Sequence, residues 1–330
     1  MNLEPVNLEP VDEMVITTLV DNVYDALLVS DEHARRAGFG VGRTEAPQFE
    51  AGSTTVGLRA EHDFSALVRV RRGETTTTLL SDTGLSPDAL IVNADRLGVD
   101  LSEIQAVVLS HGQFDHAGGR LTLAGKRGAG SLPMVVHPEI WTRRRIAVPG
   151  SAYDELPTLS MRALEAEGLR VLERREPSLL PDAGVLLTGE VDRTTDFERG
   201  MPPAHQRWDG AEWRHDPLVI DDQALVTQFK GRGLVVLTSC GHAGAINSVR
   251  HAQRLTAVPR LHALVGGLHL SGPALEPIIE PTVAALTDLA PDLVVPGHCT
   301  GWRAQHGLAA ALPDAWVANS SGSSYRLTAA

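Results

Sequence analysis

Imidazole and carboxylate side chains are concentrated in one short stretch of the chain, which reads His111-Gly112-Gln113-Phe114-Asp115-His116 and continues Ala117-Gly118-Gly119. Two imidazoles and a carboxylate can face a common point only if the backbone curls tightly, and the glycines permit such curling. His and Asp suit a divalent ion such as zinc, manganese or iron, and an ion with few protein ligands keeps a position for water. A polar loop whose histidines cap a helix is the alternative, but this combination of residues favours a metal site.

The cluster directly follows Ala106-Val107-Val108-Leu109-Ser110, an apolar run typical of a buried strand. It therefore belongs to a loop at the carboxyl end of a strand, where functional groups collect because a rigid sheet aims them. Three more histidines follow β-forming runs in the same way, namely His242, His269 and His298. Strand ends that meet on one face would bring these imidazoles together, although His269 is predicted equally well as a hydrogen-bonded core residue.

Both cysteines of the chain lie beside these histidines, Cys240 before His242 and Cys299 directly after His298. They are interpreted either as groups behind the ligands or alternative soft ligands, or as small buried residues that shape a crowded pocket, and free cysteines favour the second interpretation. A single disulfide is the most that two cysteines allow.

Strands and helices are predicted to alternate along the chain, as in an α/β protein. Strands are predicted over 15–20, 66–70, 77–81, 106–110, 134–137, 224–228, 233–237, 261–265 and 293–295. Helices are predicted over 86–97 and 245–255, and a further helix is predicted to start near Gly118.

Short matches to one protein family run in order along most of the chain. They are Leu19-Val20-Asp21-Asn22, Glu61-His62, Asp82-Thr83-Gly84, Asn93-Ala94, Leu97-Gly98-Val99-Asp100, Thr188-Gly189-Glu190, Phe197-Glu198, Ser239-Cys240-Gly241-His242-Ala243-Gly244, Gly266-Gly267-Leu268-His269-Leu270 and Pro296-Gly297-His298-Cys299-Thr300-Gly301. With them the chain resembles the metallo-β-lactamase superfamily, whose His-x-His-x-Asp-His motif matches residues 111–116 with Gln113 in place of the second His. Within that superfamily the resemblance is to the branch similar to dihydropterin ribofuranosylaminobenzene-phosphate synthase of methanopterin biosynthesis.

The resemblance implies a four-layer αββα sandwich, in which two mixed sheets pack face to face and helices cover the outside. We expect a single metallo-β-lactamase-like domain over residues 14–330, because the candidate ligands are scattered along the chain and must converge. Residues 1–13 contain the duplicated Asn-Leu-Glu-Pro-Val leader and are expected to be disordered.

The resemblance also implies a set of metal ligands, which are His111, Gln113, Asp115, His116, His242 and His298. The superfamily's bridging aspartate is absent, because Leu237-Thr238 runs on into Ser239-Cys240. An amide oxygen is a weaker donor than an imidazole nitrogen, so we expect an asymmetric site with Asp115, His116 and His298 as the tighter half. It would hold one or two divalent ions, zinc first, with manganese or iron as alternatives. Asp82 either orients a ligand histidine or caps the turn after its strand.

Composition limits the partners of the protein. Its 330 residues are 43% hydrophobic and carry a formal net charge of −12, which argues against nucleic acid or an anionic membrane as a partner. No run approaches the ~18 apolar residues of a membrane span and no targeting segment is recognised, so a cytoplasmic protein is expected. The run Arg143-Arg144-Arg145 is predicted to be a solvated face or, alternatively, an anion-binding patch. Residues 197–222 show little periodicity and are predicted to be a lid or binding loop.

The predicted reaction is metal-assisted attack on an electrophilic centre of a small molecule. The cation would acidify water and polarise the substrate, and Asp115 would be both a ligand and the proton acceptor. Hydrolysis of an ester, lactone or phosphoester is ranked first. The alternatives are the condensation of a pterin diphosphate with an arylamine, as the branch resemblance implies, and a non-catalytic, metal-poor binding protein. The oligomeric state stays open.

Overall fold

Two sheets built from the β-forming runs pack face to face and form the body of the molecule. The computed structural model describes residues 5–119, 131–147, 154–180 and 184–330. The larger sheet has the order β11-β8-β7-β6-β5-β1-β20-β2, with parallel pairing from β11 to β6 and antiparallel pairing beyond. Its strands are β1 (Glu13–Val20), β2 (Ala34–Arg35), β5 (Ser65–Arg72), β6 (Thr75–Ser81), β7 (Ala106–Val108), β8 (Leu132–Val136), β11 (Leu169–Glu173) and β20 (Ser324–Thr328).

The smaller main sheet has the order β12-β13-β16-β17-β18-β19, and its last three strands are parallel. Its strands are β12 (Ser178–Leu179), β13 (Leu186–Leu187), β16 (Leu225–Phe229), β17 (Gly233–Thr238), β18 (Leu261–Gly267) and β19 (Leu293–Gly297). Short strands form an accessory sheet, which comprises β9 (Arg144–Ile146), β10 (Asp154–Glu155), β14 (His205–Trp208) and β15 (Trp213–His215). A separate hairpin joins β3 (Gly42–Glu45) to β4 (Ser53–Val56).

Helices cover the outer faces of both main sheets. They are α1 (Ala89–Leu97), α2 (Phe114–Ala117), α3 (Met161–Ala166), α4 (Ala245–Thr256), α5 (Ile279–Leu289) and α6 (Trp302–Ala311). Short 3-10 turns occupy Leu101–Glu103, Pro138–Trp141, Glu276–Ile278 and His298–Thr300. The described helices include none that is long and apolar enough to cross a bilayer.

The burial pattern of β17 explains why the chain forms four layers. All six of its residues are buried, so both faces of the strand are covered. Val235 and Leu237 join the core between the two sheets, whereas Leu234 and Val236 pack with residues of α4, α5 and α6. Each such side chain contributes about 1.5–3 kcal/mol when it leaves water. A third cluster packs α1 on the outer face of the larger sheet, and the predicted αββα sandwich is confirmed.

Several predictions of local structure are wrong or fall outside the described residues. Helix α1 begins at Ala89 rather than at residue 86, and Gly98 ends it in a left-handed conformation as predicted. The short helix α2 ends before Gly118, and the helix predicted to start there would extend into residues 120–130, which lie outside the described residues. Residues 197–222 contain β14 and β15, which pair with each other, and β14 also pairs with β9.

The expectation of a disordered leader is wrong for its described part. Leu8 is buried among the residues that pack α4 on the smaller sheet, and the Val6 amide donates to the Leu255 carbonyl. Val11 forms a bridge to Phe229. The described apolar residues of the duplicated segment thus continue the core.

The solvated-face interpretation of the arginine run is wrong for Arg144. Its side chain is 4% exposed and forms ion pairs with Asp221 and Asp216. Arg143 is exposed, pairs with Glu155, and lies against the accessory-sheet tryptophans. Arg144 is therefore a buried structural cation. Its partner Asp221 also accepts a hydrogen bond from the Gly112 amide, next to His111.

Candidate metal centre

Asp115, His116 and His298, here called the Asp115 triad, meet in the structure. His116 is at the end of α2 and His298 directly follows β19. Their Nε2 atoms lie 3.1 Å apart, and Asp115 Oδ2 lies 3.7 Å from His116 Nε2 and 3.6 Å from His298 Nε2. Both imidazoles are buried, while the Asp115 side chain keeps 13% exposure. One carboxylate and two imidazoles therefore present their donor atoms to a common point that solvent can reach.

His111, Gln113 and His242, here called the Gln113 triad, form a second group of donors. His242 Nε2 lies 3.1 Å from His111 Nε2 and 3.2 Å from Gln113 Oε1. The two triads are neighbours, since the rings of His111 and His116 have centroids 4.4 Å apart. The structure thus brings together all six residues that the sequence nominated, in the two halves that the sequence predicted.

Asp82 fixes the orientation of one imidazole from each triad. Its Oδ2 atom accepts hydrogen bonds from His116 Nδ1 and from Ser110 Oγ, each at 2.7 Å. Because the Ser110 hydroxyl donates to Asp82, its oxygen is left to accept from His111 Nδ1 at 2.9 Å. Each Nδ1 therefore carries a proton, and each Nε2 is the ring atom left to bind a cation, as in carboxylate–histidine–metal arrangements.

Asp82→Asn is expected to weaken metal binding by about 10–100-fold, the usual cost of losing a partner behind a ligand histidine. The amide nitrogen would face two donors, the His116 ring and the Ser110 hydroxyl, where the carboxylate oxygen now accepts from both. Competition with a chromophoric chelator measures the change. Asp95→Asn, an exposed substitution on α1, is the matched control, and equal affinity in the two variants would contradict the orienting role.

Backbone amides of the ligand loops are anchored by buried carboxylates. Asp21 Oδ1 accepts from the His298 amide at 2.7 Å, and Asp221 Oδ2 accepts from the Gly112 amide at 2.8 Å. Asp222 Oδ2 accepts from the Ala243 amide at 2.7 Å. Burial raises the pKa of Asp21 and of Asp222, in each case to about 6. Each of these carboxylates therefore holds a ligand loop through a backbone amide.

The two triads differ in the charge they carry. Burial lowers the pKa of His111 and His242 well below the usual range, and neighbouring positive charge adds to the effect, so both imidazoles are neutral. Burial also acts to lower the pKa of His116, but the carboxylates of Asp115 and Asp82 outweigh it and raise that pKa to about 9. The Asp115 triad therefore holds a proton that a bound cation would displace.

The donor atoms fit a divalent cation. Around a tetrahedral ion with metal–nitrogen bonds of 2.0–2.1 Å, neighbouring donor atoms are roughly 3.4 Å apart. The separations within the triads run from 3.1 to 3.7 Å, close to that value. Each triad supplies three donors, which leaves a position for water or substrate. The set of imidazole, carboxylate and amide donors suits zinc, manganese or iron.

Gln113→His is expected to tighten metal binding at the Gln113 triad by about tenfold or more, because an imidazole replaces a weak amide donor. The Gln113 side chain already places Oε1 at 3.2 Å from His242 Nε2, so a ring at this position reaches the same point. Isothermal titration with zinc measures the affinity and the number of ions. Unchanged affinity and number would show that residue 113 does not face the ion.

Three further residues of the centre were missed by the sequence analysis as site residues. The donor atoms of His62, Asp115 and His298 all lie within 4.8 Å of one another. His205 Nε2 lies 3.0 Å from Gln113 Nε2, and Met201 Sδ lies 3.3 Å from His242 Nδ1. The family match at Glu61-His62 could have nominated His62. No sequence pattern in residues 197–222 identified His205 or Met201 as site residues.

The other nominated residues, Cys240, His269 and Cys299, surround the smaller-sheet side of the centre. Cys240 Sγ lies within 4.8 Å of ligand nitrogens of both His111 and His116. The rings of His269 and His242 have centroids 4.1 Å apart. Both cysteines are free and buried. The interpretation as small buried residues of a crowded pocket agrees with their burial, but their sulfur atoms also lie at the centre's edge.

A cavity of about 680 Å³ opens beside the Asp115 triad. His62, His298, His269 and Cys299 line its inner end, and Trp302, 67% exposed, lines it as well. A smaller cavity of about 200 Å³ lies against His242. Another cavity of about 700 Å³ lies on the outer face of the larger sheet, and none of the candidate donors lines it. The cavity beside the Asp115 triad is therefore the one from which a substrate would reach the centre.

The chain is similar to proteins of a known superfamily. A model of the metallo-β-lactamase superfamily matches residues 64–205. The solved structure of Tm1679, described as a metal-dependent hydrolase of the β-lactamase superfamily, aligns with a TM-score of 0.69 and 24% identity, covering 96% of this chain and 99% of that chain. The chain is therefore similar to the metallo-β-lactamase superfamily over residues 64–205 and has the fold of that solved structure, in agreement with the resemblance of its sequence motifs.

Two proteins of Methanocaldococcus jannaschii are similar to this chain. One is named 7,8-dihydropterin-6-methyl-4-(β-D-ribofuranosyl)-aminobenzene-5'-phosphate synthase and is 26% identical over 254 residues, which cover 75% of this chain and 83% of the relative. The other is described as uncharacterized and is 26% identical over 248 residues, covering 74% of this chain and 86% of the relative.

Proposed function

We propose that this protein is a divalent-metal-dependent hydrolase of a small molecule, acting on an ester, lactone or phosphoester. The observation that carries the proposal is the convergence of two triads of donor atoms, with donor separations near 3.1 Å, beside a cavity of about 680 Å³. A cation bound there would supply Lewis-acid activation of a water molecule and of the substrate's carbonyl or phosphoryl oxygen.

The side chains of the centre have separable roles in this proposal. Asp115 Oδ2 faces both His116 and His298 and keeps some exposure to the cavity, so it takes up the proton that the attacking water loses. Asp82 keeps the His111 and His116 rings in a single tautomer through the bonds described above. His62 is exposed and lies beside Asp115 and His298, where it can exchange a proton with the leaving oxygen.

The cavity lining favours an uncharged substrate over a phosphorylated one. Its described lining residues include Glu61, Gln305, Ser271 and Trp302, and neither arginine nor lysine is among them. Phosphate groups are usually recognised by arginine or lysine. An ester or lactone therefore ranks ahead of a phosphoester, and the exposed Trp302 ring offers a flat apolar surface for the rest of the substrate.

A condensing activity is the second candidate, and the 26% identity to the named synthase over 75% of this chain favours it. In that case the same cavity would hold a dihydropterin and an aminobenzene phosphate, the two parts of the product in the relative's name. The phosphate would have to be bound by the cation or by residues outside the cavity. Because the described cavity lining supplies no arginine or lysine for that phosphate, the synthase activity is ranked second.

One experiment separates the candidates. The protein is purified without added metal, its metal content is measured, and it is assayed with and without zinc or manganese on lactones, esters, phosphomonoesters and phosphodiesters. A parallel assay offers a dihydropterin diphosphate and the ribofuranosylaminobenzene phosphate. Hydrolysis that needs metal and is lost in Asp115→Ala supports the proposal, whereas turnover confined to the condensation supports the synthase. Near-zero metal that Asp115→Ala does not change would overturn both and indicate a binding protein.

A further inference from the structure

Three soft donors occupy equivalent places on neighbouring parallel strands of the smaller sheet. Strand β17 ends at Thr238, β18 ends at Gly267 and β19 ends at Gly297. Cys240, His269 and Cys299 each lie two residues beyond one of these ends. Because β17 pairs with β18 and β18 with β19, all in parallel, the three residues lie together beyond the carboxyl ends of these strands. We call Cys240, His269 and Cys299 the sulfur cluster.

The donor atoms of the sulfur cluster are in contact. Cys240 Sγ lies 3.2 Å from Cys299 Sγ and 3.2 Å from His269 Nδ1, and the three atoms all lie within 4.8 Å of one another. The Cys299 thiol donates to the Cys240 carbonyl at 3.1 Å. Both cysteines are buried, while His269 and Cys299 line the 680 Å³ cavity. A small cation therefore has a route to the cluster from that cavity.

The backbone is shaped to bring the sulfur cluster together. A Cβ added at Gly267 would lie 2.9 Å from Cys299 Sγ, and one at Gly266 would lie 1.6 Å from the Thr238 carbonyl oxygen. Glycine at both positions thus lets β18 approach β17 and β19 closely. His269 adopts a left-handed backbone conformation with φ 48°, which is uncommon for a residue other than glycine. Strained backbone of this kind tends to be kept where a side chain must be aimed.

We propose that the sulfur cluster is a second metal site, separate from the two triads, that binds a soft cation such as zinc or cadmium through two thiolates and one imidazole. Two sulfurs and a nitrogen are the ligands that zinc takes in tetrahedral sites, and thiolates select soft ions. Neighbouring donors on such an ion are roughly 3.7 Å apart, so the cluster opens by about half an ångström on binding. Uptake of a divalent ion releases two thiol protons to solvent and involves no redox change. The fourth position faces the cavity.

Cys240 has a competing assignment that the test must separate. Its sulfur also lies within 4.8 Å of the ligand nitrogens of His111 and His116, so it could instead complete the central centre. Cys299 distinguishes the two, because its sulfur contacts Cys240 and lies outside the group that Cys240 makes with His111 and His116. A signal from two thiolates requires the sulfur cluster, whereas the central centre can recruit Cys240 alone.

The experiment is cobalt substitution of the full chain under a phosphine reductant. Thiolate-to-cobalt charge-transfer absorption reports thiolate ligands. X-ray absorption of the cobalt-loaded wild-type protein counts the sulfur atoms bound to the cobalt, so this measurement needs no variant. We expect charge transfer in the wild type, a reduction to about half or less in Cys299→Ser, and charge transfer retained in Asp115→Ala, because thiolate and carboxylate sites are independent.

Three outcomes would overturn the proposal. One is a wild type with two titratable thiols and cobalt bound but without charge transfer or a cobalt–sulfur shell. Another is full charge transfer in Cys299→Ser together with its loss in Cys240→Ser, which would assign the thiolate to the central centre. The third is a thiol titration that finds a disulfide persisting under the reductant. Circular dichroism of each variant establishes that it is folded, and His269→Ala with intact thiols repeats the test from the third ligand.

Discussion

Asp115→Ala is expected to remove bound metal from the Asp115 triad and to lower hydrolysis by more than about a hundredfold, since even the loss of a partner behind a ligand costs 10–100-fold. Asp115 supplies the triad's carboxylate oxygen, 3.6–3.7 Å from the two imidazole nitrogens. Its removal leaves two buried imidazoles without the negative charge that compensates a divalent ion. Elemental analysis after gel filtration measures the loss, and the rate on the best hydrolysed substrate measures the second effect.

Asp95→Ala serves as the control, because Asp95 is an exposed carboxylate on α1, away from the centre. It should keep both metal and rate. Asp115→Asn refines the result, since an amide oxygen can still ligate weakly but cannot accept a proton. Metal retained with activity lost in Asp115→Asn would identify the proton-accepting role. Full metal and full rate in Asp115→Ala would remove Asp115 from the mechanism altogether.

Arg144→Met is expected to lower the free energy of unfolding by about 3–5 kcal/mol, the usual cost of removing one partner of a buried ion pair. The Arg144 guanidinium donates to Asp216 Oδ2 at 2.9 Å and to both carboxylate oxygens of Asp221. Both carboxylates are buried and would keep their charge without a counter-ion. At about 2–4 °C for each kcal/mol, the melting temperature should fall by on the order of 10 °C.

Arg143→Met is the matched control, because the neighbouring arginine pairs with Glu155 at the surface and such pairs contribute about 1 kcal/mol or less. Thermal unfolding in the presence of a chelator keeps metal binding from adding to the measured stability. Equal melting temperatures for the two variants would show that the Arg144 charge is dispensable. Metal affinity should also fall in Arg144→Met, because Asp221 positions the Gly112 amide beside His111.

The four-layer fold and the residues that converge were predictable from the sequence. Alternating or continuous apolar runs set the strands, and parallel strands with histidines at their carboxyl ends can meet at one edge. The division of the ligands into two halves followed from donor chemistry at Gln113, and the tighter binding of the Asp115 half stays a prediction. The sequence motif at residues 111–116 was specific enough to guide all of this.

The residues missed were those whose role depends on contacts distant in the chain. Arg144 appeared to be one of three surface arginines, since nothing local reveals that Asp216 and Asp221 enclose it. His205 comes from the accessory sheet, whose short strands carry little periodicity. Leu8 and Val11 lie in an acidic repeat, but Val11 packs in the core between the two sheets and Leu8 packs in the cluster under α4. The local sequence pattern predicts a helix or strand, but the contacts of that element with residues distant in the chain are seen only in the folded structure.

The pairing of β1 with β20 has a consequence for biosynthesis. Thr17 meets Ser324, 307 residues later, and Asp21 holds the amide of His298. On the ribosome β1 can pair with β5 soon after both are translated, but its other edge stays open until β20 has been translated. The nascent chain cannot assemble the Asp115 triad before His298 leaves the exit tunnel. A cation could therefore bind the complete triad only after His298 has been translated, and the edge of β1 that later pairs with β20 is unpaired during the interval.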